Sequence, residues 1–353
     1  MDMDISGLVR DNIRNLCPYS TARDEYQGKI GIFLDANESP YDTGYNRYPD
    51  PRQTAVKEKL SEIKGIPVGN IFLGNGSDEP IDLLFRVFCN PGKDNAVAMA
   101  PSYGMYAVAA DINGVEMRSV PLGEDFSLPA DEIIAACDKN TKLVFLCSPN
   151  NPSGNAYGRA DLMRIVDSVN AIVIIDEAYV DFSPKGSLRA EVLEHGNLVI
   201  LQTLSKAWGL AGLRMGVAFA QEYIIRVMSM VKYPYNINQA TQELVLKALQ
   251  TPIDDKVKEI IAQREAVSAE FATLTFVRKV YHSDANFILV RVEDADGLYG
   301  HLLKDGIIVR NRNKVPGCKG CLRITVGLAG ENAKLIRSLR RYEQLKETDS
   351  SRI

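Results

Sequence analysis

No apolar run in the 353 residues reaches the roughly 18 that a membrane span needs. Positive charge is not in excess: 41 Lys and Arg stand against 45 Asp and Glu, a net charge of −4. General attraction to nucleic acid or to an anionic membrane surface is therefore not expected. The start, Met1-Asp-Met-Asp4, is acidic and has neither the basic nor the apolar part of a signal peptide, so a cytoplasmic location is expected. Histidine is scarce, and His195, His282 and His301 lie far apart. Among six cysteines only Cys318 and Cys321 form a CxxC, and no second pair accompanies it. Zinc would need two more ligands at close spacing. No metal is expected, and the cysteines read as reduced structural thiols. There is no internal repeat.

What remains is an ordinary globular composition, 46% apolar and 24% charged. The most informative stretch is Leu201 to Gly216. It places Lys206 beside Ser205, with Arg214 eight positions on, among Gly209, Gly212 and Gly216. A lysine amine can condense with a carbonyl and can move protons. A hydroxyl and a permanent cation suit a phosphate.

Upstream, apolar strand candidates end in polar chemistry. Ile71–Leu73 runs into Gly74-Asn-Gly-Ser-Asp78, a glycine turn followed by a helix start. There Ser77 or Asp78 can cap, and free N–H groups suit an anion. Ala96–Met99 leads to Tyr103, and Lys142–Leu146 leads to Asn151. Ala171–Ile175 is wholly apolar, as a strand covered on both faces must be, and ends in Asp176 and Tyr179. Leu198–Leu201 delivers Lys206. Strands alternating with helical segments predict a mostly parallel sheet, with ligand groups at the strand tips.

Beyond about residue 235 the texture changes. Helical stretches at 238–250 and 254–274 read as a connector. Short β segments at 287–291, 307–310 and 322–326, with helices at 295–304 and 332–346, form an α+β unit. A strand is also expected at Ile30–Leu34. The predicted fold is α/β: a large domain with a mostly parallel sheet covered by helices, plus a smaller α+β domain. Its expected divisions are an arm at 1–37 belonging to the small domain, the large domain at 38–250 and the small domain at 251–353.

The motifs Ser205-Lys206-Ala-Trp-Gly-Leu-Ala-Gly-Leu-Arg214, Ser148-Pro-Asn-Asn-Pro-Ser-Gly154, Asp176-Glu-Ala-Tyr179 and Cys321-Leu-Arg323-Ile-Thr-Val-Gly327 together resemble the fold-type I pyridoxal-phosphate aminotransferases. Asn46-Arg-Tyr-Pro-Asp-Pro51, Gly74-Asn-Gly-Ser-Asp-Glu79 and Ile308-Val-Arg310 are similar to the histidinol-phosphate aminotransferase family within them. The likeness runs from Asn15 to about Gly327, with Pro80 in place of an aliphatic residue and Trp208 in place of a smaller aromatic.

The resemblance implies pyridoxal 5′-phosphate as cofactor, with Lys206 holding it covalently and shuttling a proton. Asp176 is implied at the ring nitrogen, Asn151 and Tyr179 at the ring oxygen, and Tyr103 stacked on the ring. Ser77, Asp78, Ser205 and Arg214 are implied around the phosphate, joined by Tyr48 from a partner in a homodimer. Arg323 is implied for the substrate carboxylate, and Arg310 with Tyr19 for the distal phosphate and imidazole. The implied reaction exchanges an amino group between L-histidinol phosphate and 2-oxoglutarate. An aminotransferase for aromatic amino acids would share every cofactor residue and Arg323, whereas a decarboxylase of a phosphorylated amino acid would hold the carboxylate differently and need no 2-oxoglutarate. A non-enzymatic ligand-binding protein is the reading from another class.

Overall fold

The computed structural model describes residues 5–19 and 31–350, with side chains to 348. A seven-stranded sheet contains β1 (Ile71–Asn75), β2 (Asn95–Ala100), β3 (Glu116–Pro121), β4 (Thr141–Cys147), β5 (Ile172–Asp176), β6 (Leu198–Thr203) and β7 (Met215–Ala220). Their order is β1-β7-β6-β5-β4-β2-β3. The pairs β2–β3, β2–β4, β4–β5 and β5–β6 are parallel, while β7 runs antiparallel to both β6 and β1. The reason is chain length. Only residues 204–214 separate β6 from β7, too few for the crossover of a dozen or more residues that a parallel return requires.

Helices cover both faces of this sheet, which is why β5 and β6 are buried along their whole length. Helix Asp78–Phe88 shows the local logic. Ile81, Leu84, Phe85 and Phe88 are buried on one stripe at helical spacing. Asp78 and Glu79 occupy its first turn, where acidic groups favour the helix dipole, and Pro80 is tolerated there.

The second sheet contains β8 (Val277–Val280), β9 (Phe287–Val292), β10 (Arg310–Asn311) and β11 (Cys321–Thr325), in the all-antiparallel order β10-β11-β9-β8. One face packs Ile288, Val290, Leu322 and Ile324 against Phe271, Leu298 and Leu339 of the covering helices. The other face carries Leu289, Cys321 and Arg323 toward the large sheet.

Several expectations change. The 238–250 and 254–274 stretches form separate helices, Gln239–Ala248 and Asp254–Ala272, and the latter belongs to the small sheet's core through Val267 and Phe271. The strand expected at 307–310 is the two-residue β10, with Val309 turned into the helix-side core. No strand forms over residues 31–34, where Ile32 and Leu34 are about 90% exposed, and Ile30 lies outside the described residues. The start of the chain was expected with the small unit. Instead Leu8, Val9 and Ile13 pack into the large sheet's core beside Ile224 and Met228.

Candidate active site

The parallel strands β2, β4, β5 and β6 all end on one side of the large sheet, and the site is built there. The turn after β6 carries Lys206. It is pinned by Leu204 N–H donating to the Met215 carbonyl at 3.0 Å and Leu210 N–H donating to the Leu204 carbonyl at 2.9 Å. Gly209, at φ +68°, lets the turn close with its N–H on the Lys206 carbonyl. The Lys206 ammonium lies 5.5 Å from the centre of the Tyr179 ring. Burial holds its pKa below the usual lysine value, and the Arg323 cation lowers it further, partly opposed by Asp176.

Asp176 ends β5 and is 3% exposed. Its Oδ2 accepts from the Tyr106 hydroxyl at 2.6 Å and its Oδ1 from the Ala178 N–H at 3.0 Å. Burial pushes its pKa up and the Tyr106 bond opposes that. A buried carboxylate with two donors and no cation bonded to it is costly, so the group is set up for a positive partner in the cavity. Tyr106 was not singled out in the sequence. It stacks on Phe145 at 4.7 Å and meets Tyr103 edge-on at 5.6 Å. The signal was the Tyr103-x-x-Tyr106 spacing at a helix start, which puts both rings on one face.

An anion cup sits opposite. Gly76, at φ +70°, turns β1 into helix Asp78–Phe88, whose N-cap Ser77 makes no side-chain capping bond. The first N–H groups of that helix therefore face the cavity unblocked by a cap. Arg214 adopts a left-handed backbone, φ +54°, unusual without glycine, and donates its cation beside the cup. Its Nη2 lies 3.7 Å from Asp78 Oδ2, while the other Asp78 oxygen accepts from the Tyr103 hydroxyl at 3.0 Å. A Cβ at Gly216 would overlap the backbone of Gly76 and Ser77, so only glycine permits this crossing.

One cavity is thus lined by Ser77, Asp78, Tyr103, Asn151, Asp176, Tyr179, Ser205, Lys206 and Arg214. Arg323 reaches it from the small sheet, its Nη1 donating to Asn151 Oδ1 and its guanidinium lying 5.2 Å above the Phe287 ring. Tyr179 is buried, and burial raises its pKa, with Arg323 and Arg312 opposing. Arg310 is exposed on β10 directly opposite Arg323.

Two expected residues stand elsewhere within one chain. Tyr19 is 78% exposed and lines a different cavity with Arg52, Lys57 and Arg226, because the arm is anchored on the large-sheet side by Leu8, Val9 and Ile13. It is not brought together with Arg310. Tyr48 is half-exposed, stacked on Tyr235 at 4.5 Å. Its backbone is held by Glu38, which accepts from the Tyr48 N–H at 2.7 Å and pairs with Arg47 at 2.7 Å. The CxxC cysteines are buried and free. Burial and the neighbouring Cys321 push the Cys318 thiol up to about 12, so it has no thiolate character near neutral pH. Among the described residues no cluster of His, Cys, Asp or Glu could hold a metal ion, and no helix is long and apolar enough to cross a membrane.

The donor set fits pyridoxal phosphate: an amine of lowered pKa, a buried carboxylate without a cation, a ring-facing tyrosine and an anion cup share one cavity. Comparison with known proteins agrees. The family described as aminotransferase class I and II matches residues 34–339. A histidinol-phosphate aminotransferase of Parabacteroides distasonis is 50% identical over 339 residues, 96% of this chain and 98% of that protein. One of Bacteroides fragilis is 51% identical over 339 residues, 95% of this chain and 98% of that protein. The solved histidinol-phosphate aminotransferase of Clostridium acetobutylicum superposes with a TM-score of 0.78 at 25% identity, covering 85% of this chain and 92% of that one.

Proposed function

The chain belongs to the class I and II aminotransferases, and on that premise we propose that it transfers the amino group of L-histidinol phosphate to 2-oxoglutarate, giving imidazole acetol phosphate and glutamate. The observation that carries this reading is the Lys206 cavity with the Arg323 guanidinium reaching its Asn151 wall and no carboxylate paired with that arginine among the described residues. Pyridoxal 5′-phosphate is the cofactor of this family. When bound, it supplies an aldehyde that condenses with amines and a ring that accepts the electron pair left at the substrate Cα.

The chain's own residues do the rest. Lys206 is the group to hold the aldehyde carbon and then to take and return the Cα proton, a task its lowered pKa favours by leaving more neutral amine. Asp176, braced by Tyr106, keeps a negative charge at the ring-nitrogen end. Ser77 and Asp78 backbone N–H groups, Ser205 and Arg214 hold the cofactor phosphate. Tyr103 would pack on the ring, and Asn151 with Tyr179 would hold its hydroxyl. Arg323 holds the glutamate carboxylate as a two-toothed pair. Histidinol phosphate has no α-carboxylate, so its phosphate must use the distal end of the same arginine region, where Arg310 stands.

We assign a homodimer in which Tyr48, and with it Tyr19, completes the partner's site. Ile32, Leu34, Tyr41 and Tyr45, in the same stretch of chain as Tyr48, are largely exposed apolar groups that a second copy would cover. The working division of the chain places the cofactor groups in 38–250 and the substrate arginines in 251–353. Six unpaired cysteines support a reducing, cytoplasmic setting. The test is product analysis: purified protein with histidinol phosphate and 2-oxoglutarate should form glutamate and imidazole acetol phosphate in equal amounts. Carbon dioxide release without need of 2-oxoglutarate, or faster transfer from phenylalanine or tyrosine, would replace this reading with one of its rivals.

A further inference from the structure

The face of the small sheet that looks at the Lys206 cavity carries more positive charge than a carboxylate needs. Arg310 lies directly opposite Arg323 in the β10–β11 register. Arg312 N–H donates to the Cys321 carbonyl at 2.9 Å, extending that ladder by one more pair. Residues two apart on a strand share a face. Arg310, Arg312 and Arg323 therefore stand on the face from which Arg323 reaches Asn151. Like charges directly opposite one another are destabilising, and an arginine cannot shed its proton to relieve this. Among the described residues none of the three is paired with a carboxylate. The Nε atoms of both Arg312 and Arg323 are buried without a hydrogen-bond partner. Arg312 also acts electrostatically on Tyr179, which lines the cavity.

A carboxylate carries one charge and two acceptor oxygens, whereas a phosphate monoester carries about −1.5 to −2 and three. Arg323 alone answers the first, and a second and third guanidinium answer the second. We propose that Arg312 is a specificity-determining residue that joins Arg310 in holding the phosphate dianion of the amino donor. The proposal rests on histidinol phosphate being the donor. The chain's Arg310-Asn-Arg-Asn-Lys314 run is thereby a two-armed phosphate clamp with a short, polar backbone between its arms.

The test uses the holoenzyme and its Arg312→Gln and Arg312→Lys variants, with histidinol phosphate, L-histidinol and glutamate as amino donors. Arg312→Gln should lower kcat/KM for histidinol phosphate about ten- to 100-fold, mainly through KM, as for a lost charged hydrogen bond. It should change L-histidinol and glutamate by less than about threefold. Inorganic phosphate, used as a competitive inhibitor of the L-histidinol reaction, should bind about tenfold more weakly to the variant. Arg312→Lys keeps a point charge without the fork and should fall between the two; it carries the comparison if the Gln variant does not fold. Equal losses on all three donors, or none, overturn the proposal. A wild-type enzyme that does not distinguish histidinol phosphate from L-histidinol refutes the parent reading instead. A wild type that does distinguish them, and loses this only through Arg310→Leu, refutes the Arg312 proposal alone.

Discussion

The two sheets meet at one cavity and treat charge in opposite ways. On the seven-stranded side the two carboxylates of the site have bonded neighbours. Asp176 is bonded to Tyr106, and Asp78 lies between Tyr103 and Arg214. On the four-stranded side Arg310, Arg312 and Arg323 share one face, from which Arg323 reaches Asn151, and none of them is paired with a carboxylate among the described residues. The first arrangement is complete apart from the cofactor's own charges. The second is unbalanced and waits for anions that come and go. On the proposed reading the large sheet would serve chemistry common to the family and the small sheet would read what is particular to the substrate.

The largest expected effect strikes the large-sheet side. On the proposed reading Lys206→Ala removes both the covalent anchor and the proton carrier. Turnover should fall by at least the ~10²–10⁴-fold typical of losing a general acid–base group. Borohydride reduction of the loaded wild type should fix cofactor to the Lys206 peptide. Near-normal activity in the variant, with a reducible adduct on another lysine, would move the site.

Arg323→Leu crosses the divide. Glutamate turnover should drop roughly ten- to 150-fold, from a lost charged bond of about 1.5–3 kcal/mol. It should also raise the pKa of Lys206, because Arg323 is a like charge that lowers it. Capture of pyridoxal phosphate by the apo-protein, which needs the neutral amine, should then shift to higher pH than in wild type. An unmoved capture profile would show that burial alone sets the lysine.

Tyr106→Phe is the smallest change and sharpens the contrast. Asp176 keeps only the Ala178 N–H, and its carboxyl pKa should rise further, since the Tyr106 bond lowers it. The acid limb of the half-reaction profile should move to higher pH, with no more than about a tenfold loss at neutral pH and about 1 kcal/mol of stability lost. A purely structural role would lower the melting temperature and leave the pH profile where it was.

How much was legible follows the same divide. β2, β4, β5 and β6 are apolar runs that end abruptly in Tyr103, Asn151, Asp176 and Lys206, and a run of that kind can be read without coordinates. β7 was hidden because Met215 and Gly216 sit inside a stretch that reads as a glycine-rich loop. β3 was missed because it is an edge strand in which only Val120 is buried. Tyr106 is one more aromatic in an amphipathic helix until its hydroxyl is seen on Asp176. Arg312 lies in a polar run with no periodicity, and only pairing with β11 gives it a face. Tyr19 and Tyr48 line no cavity with Lys206 within one chain, so the roles proposed for them require a second subunit that a sequence pattern does not place.

The division itself is tested most directly by a single-turnover experiment with two variants and two donors. Asp176→Asn should slow the half-reactions of glutamate and histidinol phosphate by the same factor, on the order of 10²–10³, if the carboxylate serves the ring and not the substrate as proposed. Arg310→Leu should slow histidinol phosphate roughly ten- to 150-fold and leave glutamate within about threefold. Equal slowing of both donors by Arg310→Leu would contradict the division, since that arginine would then serve the cofactor or the fold.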